Sequence, residues 1–177
     1  MTILLNIMIT VVAFLTMEGV AWLTHKYVMH GWLWYLHKDH HQKEDGFFEK
    51  NDAFFLIFAL PCMVLLFFGV RDGQDWMIAA GAGIFLYGLA YFLVHDVIIH
   101  QRFKWFTRSD NTYIRAIRWA HKMHHKHLDR HEGESFGMLL VHKKYWEKIR
   151  RDKAHAQRER REAGETKMMK RTSGETI

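Results

Sequence analysis

Three long apolar stretches, separated by polar and histidine-rich segments, dominate the pattern of this chain. The stretches cover residues 3–23, 53–70 and 76–94. A helix crosses the ~30 Å hydrocarbon core of a bilayer with about 20 residues, because each residue adds about 1.5 Å. The pattern therefore predicts an all-α membrane protein, with three to four transmembrane helices and a helical cap that carries the histidines.

The first stretch has a second interpretation, a cleaved signal peptide. It lacks the basic amino-terminal region and the small-residue cleavage site of such a segment, so we expect a retained span. Pro61 predicts a kink in the second stretch, which membrane helices tolerate. Gly81, Gly83 and Gly88 predict close helix contacts in the third stretch. Residues 135–141 are apolar but too few to cross a bilayer, and they indicate an interfacial or re-entrant segment.

The distribution of charge predicts the orientation in the membrane. The net charge is +6, and residues 142–177 alone carry twelve Lys and Arg against six Asp and Glu. A basic segment of this kind could bind nucleic acid, but beside membrane spans it more often marks the cytoplasmic side. Lys and Arg are concentrated in residues 24–52 and 95–177, whereas the turn at 71–75 has one arginine against two aspartates. We therefore expect both basic segments on the cytoplasmic side of the cell membrane, and no nucleic-acid partner.

Composition divides the chain into two regions. Residues 1–150 form the predicted integral-membrane domain, and residues 151–177 form a charged tail with few apolar residues. We expect this tail to be a frayed, partly disordered helix, because it cannot bury enough apolar surface to order itself. Cys62 is the one cysteine, which excludes a disulfide or a thiolate metal site within the chain.

Ten of the 14 histidines fall into four motifs with two spacings. Residues i, i+3 and i+4 share one helix face, so each H-x-x-H-H triplet is expected to aim three imidazoles in one direction. Residues five apart lie about 140° apart on an ideal α-helix, so each H-x-x-x-x-H pair is expected to straddle a site. The motifs, in the order pair, triplet, pair, triplet, are His25 and His30; His37, His40 and His41; His95 and His100; and His121, His124 and His125.

These ten histidines predict a metal site on the cytoplasmic side. A lone histidine on an apolar helix is usually structural, but four such motifs on one side of the membrane favour metal binding. Ten imidazoles exceed the four to six ligands of one metal and suit two metals with four or five imidazoles each. Imidazole binds iron, zinc and copper, so the spacing alone leaves the metal open. A membrane metal carrier is an alternative, although carriers place their ligands near the bilayer midplane.

Three further residues are candidates for holding ligand histidines in place. A carboxylate within a span is costly unless paired, so Glu18 is expected either to orient a histidine or to make a polar contact between helices. Asp96 adjoins a motif histidine and could orient it. Asn51 is more simply interpreted as a cap of the second span. His127 and His131 lie outside the motifs and are expected to be supporting or surface residues.

The phrases "HKYVMHGW", "HKDHH", "VHDVIIHQRF" and "AHKMHHKH", in this order along the chain, resemble the membrane fatty-acid hydroxylase superfamily. The first and third phrases point, within it, to the carotenoid hydroxylases. The resemblance covers about residues 17–141. It implies that all ten motif histidines bind two iron ions, with molecular oxygen as co-substrate. It also implies a ferredoxin-type electron donor with its reductase, and a carotenoid substrate drawn from the membrane lipid.

The reaction implied by this resemblance is hydroxylation at carbon 3 of the β-ionone rings of β-carotene, through β-cryptoxanthin to zeaxanthin. An unactivated C–H bond is not hydroxylated by side chains alone, which agrees with the need for a redox metal. Related histidine-motif oxygenases stay open as alternatives: a carotenoid ketolase, a fatty acid hydroxylase or a sterol desaturase.

Overall fold

The computed structural model describes residues 2–42, 46, 48–131 and 133–172, and within them the regular structure is helical, without strands. The α-helices are α1 (Ile3–Leu23), α2 (Trp34–His41), α3 (Ala53–Arg71), α4 (Asp75–Phe92), α5 (Thr112–His124) and α6 (Lys143–Thr172). π-Helical segments follow α1 (Thr24–Trp32) and α4 (Leu93–Ile99), and a 3₁₀ turn, Lys50–Asp52, precedes α3.

Three helical stretches among the described residues are long and apolar enough to cross a membrane, which confirms the predicted all-α membrane fold. They are Ile3–Trp32, Lys50–Arg71 and Asp75–Ile99. Their outward side chains, such as Val12, Leu56 and Phe67, are large, apolar and exposed, as lipid contact requires. The helix α3 continues through Pro61 to the turn before α4.

The helix α4 packs against both α1 and α3, and two of its glycines make the close approach possible. A methyl group at Gly83 would clash with the carbonyl oxygen of Thr10 on α1, and one at Gly81 would lie 2.8 Å from the side chain of Leu66 on α3. These positions confirm two of the three predicted small-residue contacts. Gly88 differs, because apart from the adjoining backbone of its own helix no atom lies within 4 Å of the position that its Cβ would occupy.

The helical cap pairs α5 with α6 around Ala116, Ala120, Tyr145 and Ile149. The helix α6 runs without a break through residue 150, where the sequence predicts a domain boundary, and its side chains beyond that point are mostly exposed. Residues 151–172 of the expected tail are thus helical. Residues 173–177, where disorder was also expected, lie outside the described part of the chain.

Candidate metal centre

The two histidine pairs lie in the two π-helical segments, each directly after a membrane-spanning helix. A π-helix is bonded from residue i to residue i+5, so residues five apart are stacked about one turn from each other. The N–H of His100 donates to the carbonyl oxygen of His95 at 2.8 Å in this way. The ring centroids of His95 and His100 are 4.4 Å apart, and those of His25 and His30 are 5.2 Å apart. Each pair therefore contributes both of its rings to one group of histidines, and the rings lie closer together than the α-helical separation of about 140° predicts.

The first group of histidines, called here the five-histidine cluster, combines the first pair with residues of α2 and α5. One ring nitrogen from each of its members lies within 4.8 Å of the others, and all the members are buried. The Nε2 atoms are 3.1 Å apart between His25 and His37, and 3.2 Å apart between His30 and His124. The cluster consists of His25, His30, His37, His41 and His124.

The second group, called here the four-histidine cluster, combines the second pair with one further histidine from each of the same two helices. It consists of His40, His95, His100 and His121. The Nε2 atom of His40 is 3.1 Å from that of His95, and the Nε2 atom of His100 is 2.8 Å from that of His121. Because α2 and α5 contribute to both groups, the two clusters lie side by side.

Each H-x-x-H-H triplet is divided between the clusters, contrary to the expectation that it aims all its rings in one direction. On α2, His37 and His41 enter the five-histidine cluster, while His40 enters the other. Positions i, i+3 and i+4 spread over roughly 100° of helix face, which is enough for one helix to reach both sides. Directly after α5, His125 contacts both groups: its Nε2 is 2.8 Å from that of His121, and its ring stacks on His41 at 4.5 Å.

The outer nitrogen, Nδ1, of every member of the five-histidine cluster faces an oxygen atom at 2.7 to 3.3 Å. Carbonyl and amide oxygens only accept hydrogen bonds, so each Nδ1 is the protonated, donating nitrogen. The acceptors are the backbone oxygens of Phe136, Arg130, His127 and Glu134, for His25, His30, His41 and His124, and the side-chain oxygen of Asn51, for His37.

Carboxylates take this place for two members of the four-histidine cluster, His40 and His95. His40 Nδ1 donates to Glu49 Oε2 at 2.7 Å, and His95 Nδ1 lies 3.5 Å from Asp96 Oδ2. Arg102 lies between the two acids: its Nη2 is 3.1 Å from Glu49 Oε2, and its Nε is 3.2 Å from Asp96 Oδ1. Burial raises the pKa of Glu49, and the charge of Arg102 opposes that rise.

These hydrogen bonds show that the clusters suit cations. Where both Nδ1 atoms of a pair are protonated, as in His25 and His37, the two facing Nε2 atoms carry lone pairs only. Such atoms repel each other at 3.1 Å unless a cation lies between them. Two nitrogens bound about 2.1 Å from one metal and about 90° apart are separated by about 3.0 Å. The donor set and its spacing therefore fit a metal ion in each cluster.

Burial also keeps the imidazoles in the neutral form that binds metals. Burial is the main cause that lowers the pKa of His37 to about 2, that of His125 to about 3 and that of His41 to about 4. Burial and neighbouring histidines hold the pKa values of His40 and His121 well below the usual range. These histidines are thus not a solvated basic patch.

The three further candidates have different surroundings. Asn51 accepts from His37, and Asp96 adjoins His95 and Arg102, so both lie directly behind the clusters. Glu18 is buried, and its hydrogen bonds are polar contacts between elements, which agrees with its second interpretation. Its carboxylate accepts from the Tyr87 hydroxyl and from the backbone N–H groups of Met138, Leu139 and Leu140.

The residues 135–141, expected to be interfacial or re-entrant, are irregular in structure and are anchored to α1 by these bonds to Glu18. The carbonyl of Phe136 in this segment holds His25. Backbone acceptors have no residue signature, so no sequence signal reveals them. Glu49 and Arg102 are single charged residues beside the predicted spans, and only their distances from His40 and Asp96 reveal their role.

An apolar cavity of about 670 Å³ lies between α1, α3 and α4 and reaches both clusters. His25 of the five-histidine cluster and His95 of the four-histidine cluster both line it. Phe55 and Met63 also line the cavity and are exposed on the surface of α3, so the cavity lies beside the lipid-facing surface. The other lining residues include Met17, Phe54, Phe58, Gly88, Tyr91 and Phe92.

Comparison with known proteins agrees with this geometry. The profile of the fatty acid hydroxylase family matches residues 10–150. A β-carotene hydroxylase of Pseudescherichia vulneris is 39% identical over 144 residues, covering 79% of this chain and 79% of the relative. A β-carotene hydroxylase of Pantoea ananas is 38% identical over 136 residues, covering 77% of each chain.

A plant relative extends the similarity. A chloroplastic β-carotene 3-hydroxylase of an Oncidium hybrid cultivar is 39% identical over 130 residues, covering 72% of this chain and 42% of the longer relative. No solved structure matches the chain.

Proposed function

Because this chain belongs to the fatty acid hydroxylase family, we propose that it is a non-haem diiron monooxygenase that hydroxylates carbon 3 of the β-ionone rings of β-carotene. The product is zeaxanthin, formed through β-cryptoxanthin. One observation carries the proposal: two clusters of buried or half-buried imidazoles adjoin one apolar cavity within a bundle of membrane-spanning helices. The similarity to bacterial β-carotene hydroxylases supports the choice of substrate.

The proposed ligands of the two irons are the ten motif histidines. The five-histidine cluster holds one ion, and the four-histidine cluster, joined by His125 through its contact with His121, holds the other. Bound iron supplies the activation of molecular oxygen that no side chain provides. The protein fixes the orientation of the imidazoles, because the hydrogen bonds of Nδ1 select the tautomer and leave Nε2 free to bind metal.

The cavity is the proposed binding site for one end of the carotenoid. A hydrocarbon ring offers no polar group to bind, so shape and apolar contact must place its carbon 3. The lining of Met, Phe and Tyr side chains suits such a ring. The cavity reaches His25 and His95, so a ring that enters from the lipid arrives beside both clusters. The rest of the molecule stays in the bilayer.

The reaction also requires an electron donor, which must approach the protein from outside the membrane. One atom of molecular oxygen enters the C–H bond and the other leaves as water, which consumes two electrons and two protons. A ferredoxin-type protein with its reductase is the proposed electron source. Under the positive-inside rule, the clusters lie at the cytoplasmic side of the cell membrane, where such a donor can dock.

Pigment analysis in a bacterial host that accumulates β-carotene tests this proposal. We expect β-cryptoxanthin and zeaxanthin to appear, identified by chromatography and mass spectrometry. Keto-carotenoids instead would assign the chain to the ketolases. Unchanged β-carotene, with iron-loaded protein in the membrane, would contradict the proposed substrate while the metal centre stands.

A further inference from the structure

The groups that accept hydrogen bonds from the two clusters differ in charge. In the five-histidine cluster, the Nδ1 atoms donate to four backbone carbonyls and one side-chain amide, all of them neutral. In the four-histidine cluster, Nδ1 of His40 donates to the carboxylate of Glu49, and Nδ1 of His95 lies beside the carboxylate of Asp96. An imidazole whose N–H donates to a carboxylate is a more basic ligand than one that donates to a carbonyl.

Arg102 connects the two carboxylates. Its guanidinium is 3.1 Å from Glu49 and 3.2 Å from Asp96, and Nη1 also donates to Asp52 at 3.0 Å. The Arg102 side chain is only 18% exposed, and its backbone N–H donates to the carbonyl oxygen of Asp96 at 2.9 Å. A planar guanidinium with fixed donors holds several carboxylates in a set geometry, which a lysine cannot reproduce.

We propose that Arg102 is a positioning residue that acts on the four-histidine cluster alone. It holds the carboxylates of Glu49 and Asp96 in place behind two ligand histidines. It thereby gives one metal site negatively charged hydrogen-bond acceptors, while the acceptors of the other site are neutral. This inference rests on the proposed diiron function and adds a difference between the two irons.

The alternative role for Arg102 is purely mechanical. Glu49 and Asp52 lie where the second span begins, and Asp96 and Arg102 lie where the third span ends, so the ion pairs also join the two spans. A comparison of Asp52 with Glu49 distinguishes the mechanical role from the positioning role. Asp52 pairs with Arg102 as Glu49 does, but the described hydrogen bonds of its carboxylate are accepted from Arg102 and from the backbone N–H of Glu49, not from a histidine.

The test compares Glu49→Gln with the matched control Asp52→Asn. Each change turns one carboxylate partner of Arg102 into an amide of nearly the same size. The purified proteins, enriched in ⁵⁷Fe, are titrated with a competing chelator, and the remaining iron is quantified and examined by Mössbauer spectroscopy. Removal of an outer partner of a ligand histidine typically weakens metal binding about 10- to 100-fold.

We expect Glu49→Gln to weaken the binding of one of the two irons by about 10- to 100-fold and to change one of two Mössbauer components. Arg102→Gln should alter the same component, and Arg102→Lys should restore it only in part. Asp52→Asn should change iron affinity less than about twofold. If Arg102→Gln does not fold, Glu49→Gln still decides the question, because it preserves size and a hydrogen-bond acceptor.

Two results would overturn the inference: equal weakening of both irons by Glu49→Gln, or the same effect from Asp52→Asn. The readouts are iron content and spectra, so they do not depend on the substrate. A wild-type protein with two irons that leaves β-carotene unchanged would contradict the proposed function, and the comparison of variants would still decide the role of Arg102.

Discussion

The two histidine clusters use the same ligand but hold it by different means. The five-histidine cluster is held mainly by backbone carbonyls of the irregular segment between α5 and α6. In the four-histidine cluster, His40 and His95 are held by side chains where two spans begin and end, namely Glu49 and Asp96 with Arg102 between them. Two sites built from the same ligand can therefore have unequal charge.

The difference also decides how each site responds to sequence change. A backbone carbonyl keeps its place whatever side chain it carries, as long as the segment keeps its path. A carboxylate can be removed or neutralised by a single substitution. We therefore expect point changes outside the histidines to alter the four-histidine cluster more readily. Asn51 is the exception, because it is a side chain that supports the five-histidine cluster.

The largest expected effect comes from removal of one ligand in each cluster. His124→Ala should empty the five-histidine cluster and His121→Ala the four-histidine cluster, each with a loss of hydroxylation beyond about 100-fold, more than outer partners cause. Pigment analysis and iron content measure both effects. His131→Ala, at an exposed position, is the control and should keep full activity. Full activity with normal iron in either ligand variant would refute the assignment.

The next effect concerns Asn51, whose side chain lies behind the five-histidine cluster. Asn51→Ala removes the acceptor of His37 Nδ1–H and should weaken one iron about 10- to 100-fold. The matched control is Asn111→Ala, which removes the cap of α5 at a cost of about 1 kcal/mol and should leave iron affinity unchanged. If both variants lose iron alike, the loss comes from general destabilisation and not from the bond between Asn51 and His37.

A smaller effect is expected from a change in the cavity, which tests the substrate site independently of the two clusters. Gly88 lines the cavity with open space around its Cβ position, so Gly88→Leu should fill the cavity without a clash with the backbone. A single methylene in an apolar pocket changes selectivity about 10-fold or more, and we expect at least that loss of zeaxanthin formation. Iron content should remain normal. Gly164→Leu on the exposed part of α6 is the control, and unchanged activity in Gly88→Leu would place the substrate elsewhere.

The smallest effect is expected in α6. Arg160 is exposed, and Arg160→Ala should change hydroxylation less than about twofold, because isolated surface charges contribute little. The variant is compared with wild type in the same pigment assay. A large loss would show that this helix takes part in the reaction, for example by docking the electron donor.

The sequence predicts the spans and the candidate ligands because both depend on local pattern. Apolar length alone gives the three membrane helices, and histidine spacing alone gives the ten candidate ligands. The small residues of α4 predict a helix contact correctly at Gly83, which lies against α1. The prediction fails at Gly88, which lies beside open space. Pattern does not distinguish a packed glycine from one beside a cavity.

The parts that sequence does not reveal depend on geometry beyond local pattern. No residue type marks a π-helix, so spacing alone does not predict the convergence of His95 and His100. The partners of Nδ1 come from distant segments, and most of them are backbone atoms. Glu49 is nine residues from His40 in sequence, but the two are joined by a 2.7 Å bond that only the fold creates.

The most direct test of the central claim is the number of metal ions per chain in the purified protein. Metal is quantified by mass spectrometry and protein by amino-acid analysis. The two clusters predict two ions per chain in the wild type, both iron, and one each in His124→Ala and His121→Ala. A single ion in the wild type, or the loss of both ions in each variant, would contradict two separate sites.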